Sequence, residues 1–349
     1  MQRLCQGSSG PGYRQLVFAE GAGPEECGRL RSHRLLGASP RPGCDTRPVR
    51  ILSLLPSATE IVFALGLEDA LVGVTAECDY PLAARQKPMV SFPTVGTSSE
   101  RAPTSAAQVD GDVVAMVASG EPLYRLDEKL IRALVPDLIL AQDLCRVCAV
   151  PSGDVTAALD RLGCRATVLS LDPPTLDDVL DCVTAVAAAA GVEDRGRAVA
   201  GALRDRIDEV RRVTAGADRR RVLEIEWSDP PYLGGHWVPE MVEAAAGTVL
   251  LARPGEPSPR VSWEEIAGAG AEVVMVAPCG YGLAEARAEV LTLLERPELA
   301  SVPEVWALDG SAYFSRPGPR VVDGVELLAS VLHPGLVPAP PAGRAARLR

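Results

Sequence analysis

The strongest constraint in the chain is a repeated local order: an apolar run of strand length, a sharp polar loop, then a helix. Arg50–Leu55 is the first such run. Pro56 ends it, and Ser57-Ala58-Thr59-Glu60 has the spacing of a capping box, in which Ser57 and Glu60 satisfy the first free amides of a helix over Ile61 to Leu65 that stops at Gly66. Leu71–Thr75 is a second strand, ending in Glu77-Cys78-Asp79-Tyr80-Pro81. Asp137–Ala141 is a third, running into Gln142-Asp143-Leu144-Cys145-Arg146-Val147-Cys148. Residues 91–125 form a polar insert with one helix near Ala106–Ala118, and Arg165–Leu171 closes the lobe. This alternation predicts an α/β fold, an open and mostly parallel sheet with flanking helices, whose ligand loops lie at the carboxyl ends of the strands.

The same order returns in the second half. Two helical stretches with no strand between them, Leu176 to Ala190 capped by Thr175 and Glu193 to Thr214, separate the halves. In the second stretch Val199, Ala202, Leu203, Ile207, Val210 and Val213 fall on one face, with Arg, Asp and Glu opposite. At ~1.5 Å per residue it spans about 30 Å. Arg221–Trp227 opens a second lobe, and its strand ends in Ser228-Asp229-Pro230-Pro231-Tyr232-Leu233-Gly234-Gly235. A helix follows from Pro239 to Gly247, strand Glu272–Ala277 leads to Pro278-Cys279-Gly280-Tyr281-Gly282, strand Val305–Leu308 leads to Tyr313-Phe314-Ser315-Arg316, and the last helix runs to Leu332. The plan is therefore a disordered extension over 1–49, a lobe over 50–172, connecting helices over 173–216, a lobe over 217–335 and a disordered tail over 336–349. A length of 349 residues agrees, since a single core stops growing before about 250–300.

Composition removes several classes of function. No stretch reaches the ~18 uninterrupted apolar residues of a membrane span. The net charge of −11, with no block of Arg or Lys, lacks the basic stripe that nucleic acid requires. A small molecule bound by a monomer is the expected arrangement. Met1–Val49 has no apolar signal core, and Glu20, Glu25, Glu26 and Asp45 count against a transit peptide, so the expected compartment is the cytoplasm, with organelle targeting by residues 1–49 left open. Nine cysteines without a repeating framework do not read as a secreted disulfide scaffold. Catalytic signatures are missing too: there is no Gly-x-Ser-x-Gly elbow, and Gly234-Gly235 has neither the P-loop Lys nor dinucleotide spacing. The chain is expected to bind rather than to catalyse.

Ile51-Leu-Ser-Leu-Leu-Pro-Ser-Ala-Thr-Glu60, followed by Leu71-Val-Gly-Val and Asp79-Tyr-Pro81, resembles the opening of the substrate-binding proteins of vitamin B12 and iron-siderophore ABC importers. Pro136-Asp-Leu-Ile, Gly234-Gly-His-Trp-Val-Pro-Glu240, Val261-Ser-Trp-Glu-Glu-Ile266 and Ser315-Arg-Pro-Gly-Pro-Arg320 extend the likeness over roughly residues 50–335, and it is greatest to the cobalamin-binding branch. The resemblance implies two α/β lobes joined by one long helix, the position of residues 193–214, closing on ligand in the cleft between them. It also implies an ABC transporter permease as partner, met by one exposed acid per lobe. Glu264 matches the second acid, whereas the first falls at Lys129, with Glu128 beside it.

If the strand-end loops line a cleft, the first lobe offers Pro56, Ser57, Asp79, Tyr80 and Asp143. The second offers Trp227, Tyr232, Gly234, Gly235, His236, Trp237, Tyr281, Tyr313, Phe314 and Arg316. Aromatic residues are only 4% of the chain, yet six of these are aromatic and lie near loops, where they could grip the faces of a corrin ring. The competing reading is that Trp237 and Phe314 seal helix starts against the sheet. His236 could be an axial ligand to cobalt, and Arg316 with Arg320 could meet a phosphate or carboxylate. Cys145-x-x-Cys148, Cys78, Cys279 and His236 form an alternative set that could hold zinc or an iron–sulfur cluster in an intracellular metalloprotein. A siderophore or heme chelate is a further alternative ligand.

Overall fold

Val, Ile and Leu runs too short for helices become the central strands of two sheets, because β-branched residues suit a surface buried on both faces. A computed structural model describes residues 48–94, 106–119, 122–144, 165–338 and 342–349, the strand at 35–36, and single positions between 153 and 159. The chain divides into two units, one of residues 1–59 with 68–172 and one of residues 60–67 with 173–349.

The sheet of the first unit has seven strands among the described residues. They are β1 (Leu35–Leu36), β2 (Ile51–Ser53), β3 (Leu71–Thr75), β4 (Met89–Pro93), β5 (Tyr124–Leu126), β6 (Leu138–Ala141) and β7 (Thr167–Ser170), in the order β1-β7-β6-β2-β3-β4-β5. The pairs from β7 to β4 are parallel, and β1 and β5 close the edges antiparallel. Among the described residues α2 (Ala106–Ser119) and α3 (Glu128–Leu134) accompany it, single positions between 153 and 159 are helical, and α1 (Pro56–Ala64) begins in this unit and passes at Glu60 into the second. Asp127 caps α3 by accepting the Leu130 amide at 3.0 Å.

In the second unit α4 (Leu176–Ala189) and α5 (Glu193–Thr214) precede the sheet. Thr175 and Asp178 form a reciprocal capping box at the start of α4. The buried face of α5 is Gly196, Ala200, Leu203, Ile207, Val210 and Thr214, one step round from the predicted stripe, so Ala202 is exposed. Gly196 sets that face: a Cβ there would stand 2.4 Å from the Ala187 Cβ, so only glycine lets α5 approach α4. Arg206 ties α5 to α9 (Val321–Leu332) through Asp323 at 2.5 Å and Glu326 at 2.7 Å. Rather than standing apart as connectors, α4 and α5 are part of this unit.

The second sheet contains β8 (Arg220–Ser228), β9 (Pro231–Leu233), β10 (Gly247–Val249), β11 (Val273–Val276), β12 (Glu304–Leu308) and β13 (Ala345–Arg347), ordered β10-β8-β11-β12-β13 with β9 folded back on β8. Helices α6 (Val238–Ala244), α7 (Trp263–Gly268) and α8 (Leu283–Leu293) complete the unit. Leu223, Ile225, Val274, Val276, Val305 and Ala307 point into one core with Ile266, Ala286 and Val290.

Three expectations are corrected. The tail is not disordered throughout: Trp306 pairs with Arg347 and Leu308 with Ala345, so β13 caps the β12 edge whose backbone groups would otherwise be unpaired. Leu35 and Leu36, assigned to a disordered extension, pair antiparallel with Leu169 and Val168. Finally, α1 starts a residue before Ser57, because the Thr59 amide already donates to the Leu55 carbonyl at 3.2 Å. Glu60 therefore does not close a capping box, and its carboxylate accepts from Arg320 instead.

Candidate ligand-binding site

The carboxyl end of β8 organises the second unit's loops. After Ser228 the chain reverses into β9, with Trp227 opposite Tyr232 and Ser228 opposite Pro231. Gly234 then packs against Glu224 and Val238, and Gly235 against residues 257 and 258, so closely that side chains are excluded. A Cβ on Gly234 would lie 2.1 Å from Glu224 Oε2, and one on Gly235 would lie 2.2 Å from the Ser258 amide nitrogen. The Gly235 amide donates to Ser258 Oγ at 3.2 Å, and Ser258 Oγ donates to Glu226 Oε2 at 2.9 Å. His236 follows with φ of 52°, a left-handed conformation uncommon for a side chain of this size. Its amide donates to Glu256 O at 2.6 Å and its carbonyl accepts from the Gly255 amide at 2.9 Å, which holds it there.

That backbone displays the imidazole at the surface while keeping part of it dry. His236 Nδ1 is buried with no hydrogen-bond partner, and burial lowers the imidazole pKa below its usual value, so the ring is neutral at pH 7. The ring stacks beside Trp237, with centroids 5.9 Å apart.

The six aromatics separate into two groups. Tyr232, Trp237 and Phe314 are 7%, 6% and 2% exposed, and the Trp237 Nε1–H donates to the Phe314 carbonyl at 2.9 Å, so these three seal the core. Trp227, Tyr281 and Tyr313 remain half-exposed at strand ends. Trp227 and Tyr281 meet edge to face with centroids 5.8 Å apart. Tyr313 carries Arg344 over its ring at 5.2 Å and Arg320 at 6.0 Å. Arg320 grips Glu60 with two hydrogen bonds, at 2.9 and 2.5 Å, and Arg316 approaches the same carboxylate at 3.7 Å. Within this unit the two arginines proposed for a ligand anion thus have an internal counterion.

In the first unit Ser57 is buried, Pro56 begins α1, Asp79 is half-buried and Tyr80 is 47% exposed. Cys78 is 2% exposed and lies 3.0 Å from Thr59 Oγ1, which donates to Ser53 Oγ. Asp143 is exposed, and its placement depends on Asp172, a residue the sequence reading passed over. Asp172 Oδ1 accepts the amides of Asp143 at 2.5 Å and Leu144 at 2.7 Å, while Ser170 Oγ donates to Oδ2 at 2.7 Å. Replacing Asp172 by alanine should cost the first unit about 1 kcal/mol, reduced from the usual value for charge-assisted bonds because Asp143 is wet. Urea denaturation of wild type and variant measures it.

Cys145 and Cys148 lie outside the described residues. Cys279, partly exposed, follows β11, and among the described residues no group of three or more His, Cys, Asp or Glu side chains could hold a metal ion. No helix among them is long and apolar enough to cross a membrane. Glu264 is exposed in the first turn of α7, its carboxyl held below the usual range by its own amide, Ser262 and Arg296. Glu128 opens α3 and is half-buried, with Lys129 exposed beside it.

The family model for periplasmic binding proteins matches residues 51–305. The chain belongs to that family. Among curated relatives, the vitamin B12-binding protein of Vibrio cholerae is 27% identical over 289 residues, covering 81% of this chain and 88% of the relative. The vitamin B12-binding protein of Yersinia pestis is 25% identical over 276 residues, covering 78% and 82%. The solved periplasmic vitamin B12-binding protein of Vibrio cholerae superposes with a TM-score of 0.57 at 25% identity, over 81% of this chain and 96% of that one. A periplasmic heme-binding protein from Pseudomonas aeruginosa superposes with a TM-score of 0.61 at 22% identity, over 83% and 94%, and shows the fold alone. Both units are therefore built on the α/β plan of this family, a family of binding proteins, as the strand–loop–helix order predicts.

Proposed function

We propose that this protein binds a corrinoid of the cobalamin type, without chemistry on the ligand, through strand-end loops. The observation that carries the reading is the likeness to vitamin B12-binding relatives over about four-fifths of the chain. The site adds physical support. Trp227 and Tyr281 offer an aromatic edge and face, Tyr313 a second ring, and His236 a neutral imidazole on a rigid loop. A large flat ligand gains most from such preformed apolar surfaces with a few fixed polar groups. The intracellular metalloprotein reading has no described ligand cluster behind it. As partner we propose an ABC transporter permease, met in part by the exposed Glu264.

Absorbance titration of the purified full chain with cobalamin, and separately with hemin, tests the ligand. Cobalamin is expected to bind with a Kd of about a micromolar or tighter and to quench Trp fluorescence, and Trp227→Ala should weaken it about tenfold, equivalent to roughly 1.4 kcal/mol. Binding of hemin alone would move the assignment to heme. No response to either would reject the chelate-binding reading.

A further inference from the structure

Glu224 and Glu226 sit two residues apart on β8, on one face of the sheet beneath the loop that carries His236 and Trp237. Glu226 is tied down: Ser258 Oγ donates to it at 2.9 Å and itself accepts the Gly235 amide. Glu224 is not. It is 4% exposed, and neither carboxyl oxygen has a hydrogen-bond partner. Its backbone carbonyl accepts the Gly234 amide at 3.2 Å, the same amide also acts on the carboxyl and partly offsets the effect of burial, and Oε2 fills the space where a Gly234 side chain would stand. A bare carboxylate there would be a buried charge without compensation.

We propose that the Glu224 carboxyl is a proton-operated latch: when protonated it lets the Gly234–Trp237 loop seat on β8, and when ionised it drives the loop off. The titratable groups acting on Glu224 are Glu226 on its own strand and Cys279 after β11, and both oppose a second negative charge. No cation among the described residues offsets them. Burial, the first and largest cause, and Glu226 together push the Glu224 carboxyl well above the ordinary 4.5. A carboxyl raised in this way lends its stability at acid pH and loses it as pH climbs from the unfolded value through the folded one. The loop should therefore be most firmly seated in mild acid and open progressively toward alkaline pH. This goes beyond the ligand reading, since it concerns the unliganded loop and holds whatever the loop binds.

Amide hydrogen exchange of the loop in the full chain, corrected for the intrinsic pH dependence of exchange, tests it. Protection of residues 232–238 should fall about tenfold between about pH 6 and about pH 9 in the wild type, and Glu224→Gln should remove most of that fall, leaving the part due to Glu226, whose carboxyl burial also raises. Glu226→Gln removes the neighbouring charge and should move the midpoint of opening to lower pH, a shift that a merely structural role for Glu226 would not produce. Protection that does not change with pH in the wild type overturns the proposal, even if Glu224→Gln fails to fold. A pH profile in Glu224→Gln parallel to that of the wild type overturns it as well.

Discussion

Replacing Gly235 by alanine should destabilise the second unit by about 3 kcal/mol, at the upper end of what overpacking costs. The added methyl would stand 2.2 Å from the Ser258 nitrogen and 2.6 Å from both Pro257 C and Ser258 Cα. These are backbone atoms, held in place because the Leu233 amide donates to Pro259 O and the His236 amide to Glu256 O. Neither side of the contact can yield without breaking that lattice. Calorimetry should show the fall as a lower melting temperature, and ligand affinity should fall with it, since His236 and Trp237 ride on the displaced segment. Gly201→Ala is the matched control. Gly201 lies inside α5 with nothing within 4 Å of its Cβ position, so alanine there should stabilise by about 0.5–1 kcal/mol. Equal effects of the two substitutions would refute the packing argument.

The second large effect is expected at Arg320. Its guanidinium makes two hydrogen bonds to Glu60, whose side chain is 3% exposed, and Arg320 itself is 14% exposed. Removing one partner of such a pair leaves a buried charge, so Arg320→Met should cost about 3 kcal/mol, at the lower end for buried pairs because Arg316 stays 3.7 Å from the same carboxylate. The double variant Arg320→Met with Glu60→Leu should recover most of that loss, because it removes the charge together with its counterion. A double-mutant cycle by chemical denaturation measures the coupling, and a coupling near zero would mean that the pair adds nothing. The pair also sets the local electrostatics: a ligand anion approaching Arg316 or Arg320 must compete with a carboxylate already in place.

The fold was legible in the sequence to the extent that it is governed by local chemistry. Short Val, Ile and Leu runs announced β3, β6, β11 and β12 because buried strands need continuous apolar residues. Thr175 announced the start of α4 because its hydroxyl can meet a free amide three residues on. What escaped depended on partners far away in the chain. Glu60 has the spacing of a cap residue, yet its bond to an arginine 260 positions later decides its role. β13 is three residues of ordinary composition that become a strand because β12 has an open edge. The buried Glu224 and half-buried Glu226 sit in a strand pattern that by itself reads as one face polar and solvated.

Among the site residues, Gly234, Gly235 and His236 could be singled out from their place after a strand, but the reason two glycines are required appears only when Glu224 and Val238 are laid against the first and the chain at 257–258 against the second. The cluster of aromatics was likewise visible as a cluster and not as two populations. Trp237, Phe314 and Tyr232 are core because other segments cover them, while Trp227, Tyr281 and Tyr313 stay open. The sequence by itself determined the α/β order, the strand ends that carry the loops, and the family likeness, since these rest on periodicity and short-range capping. Only the tertiary structure decided which loop residues are buried and which carboxylates are paired or left without a partner. Burial and ion pairing are set by contacts across long chain separations, and no local pattern records them.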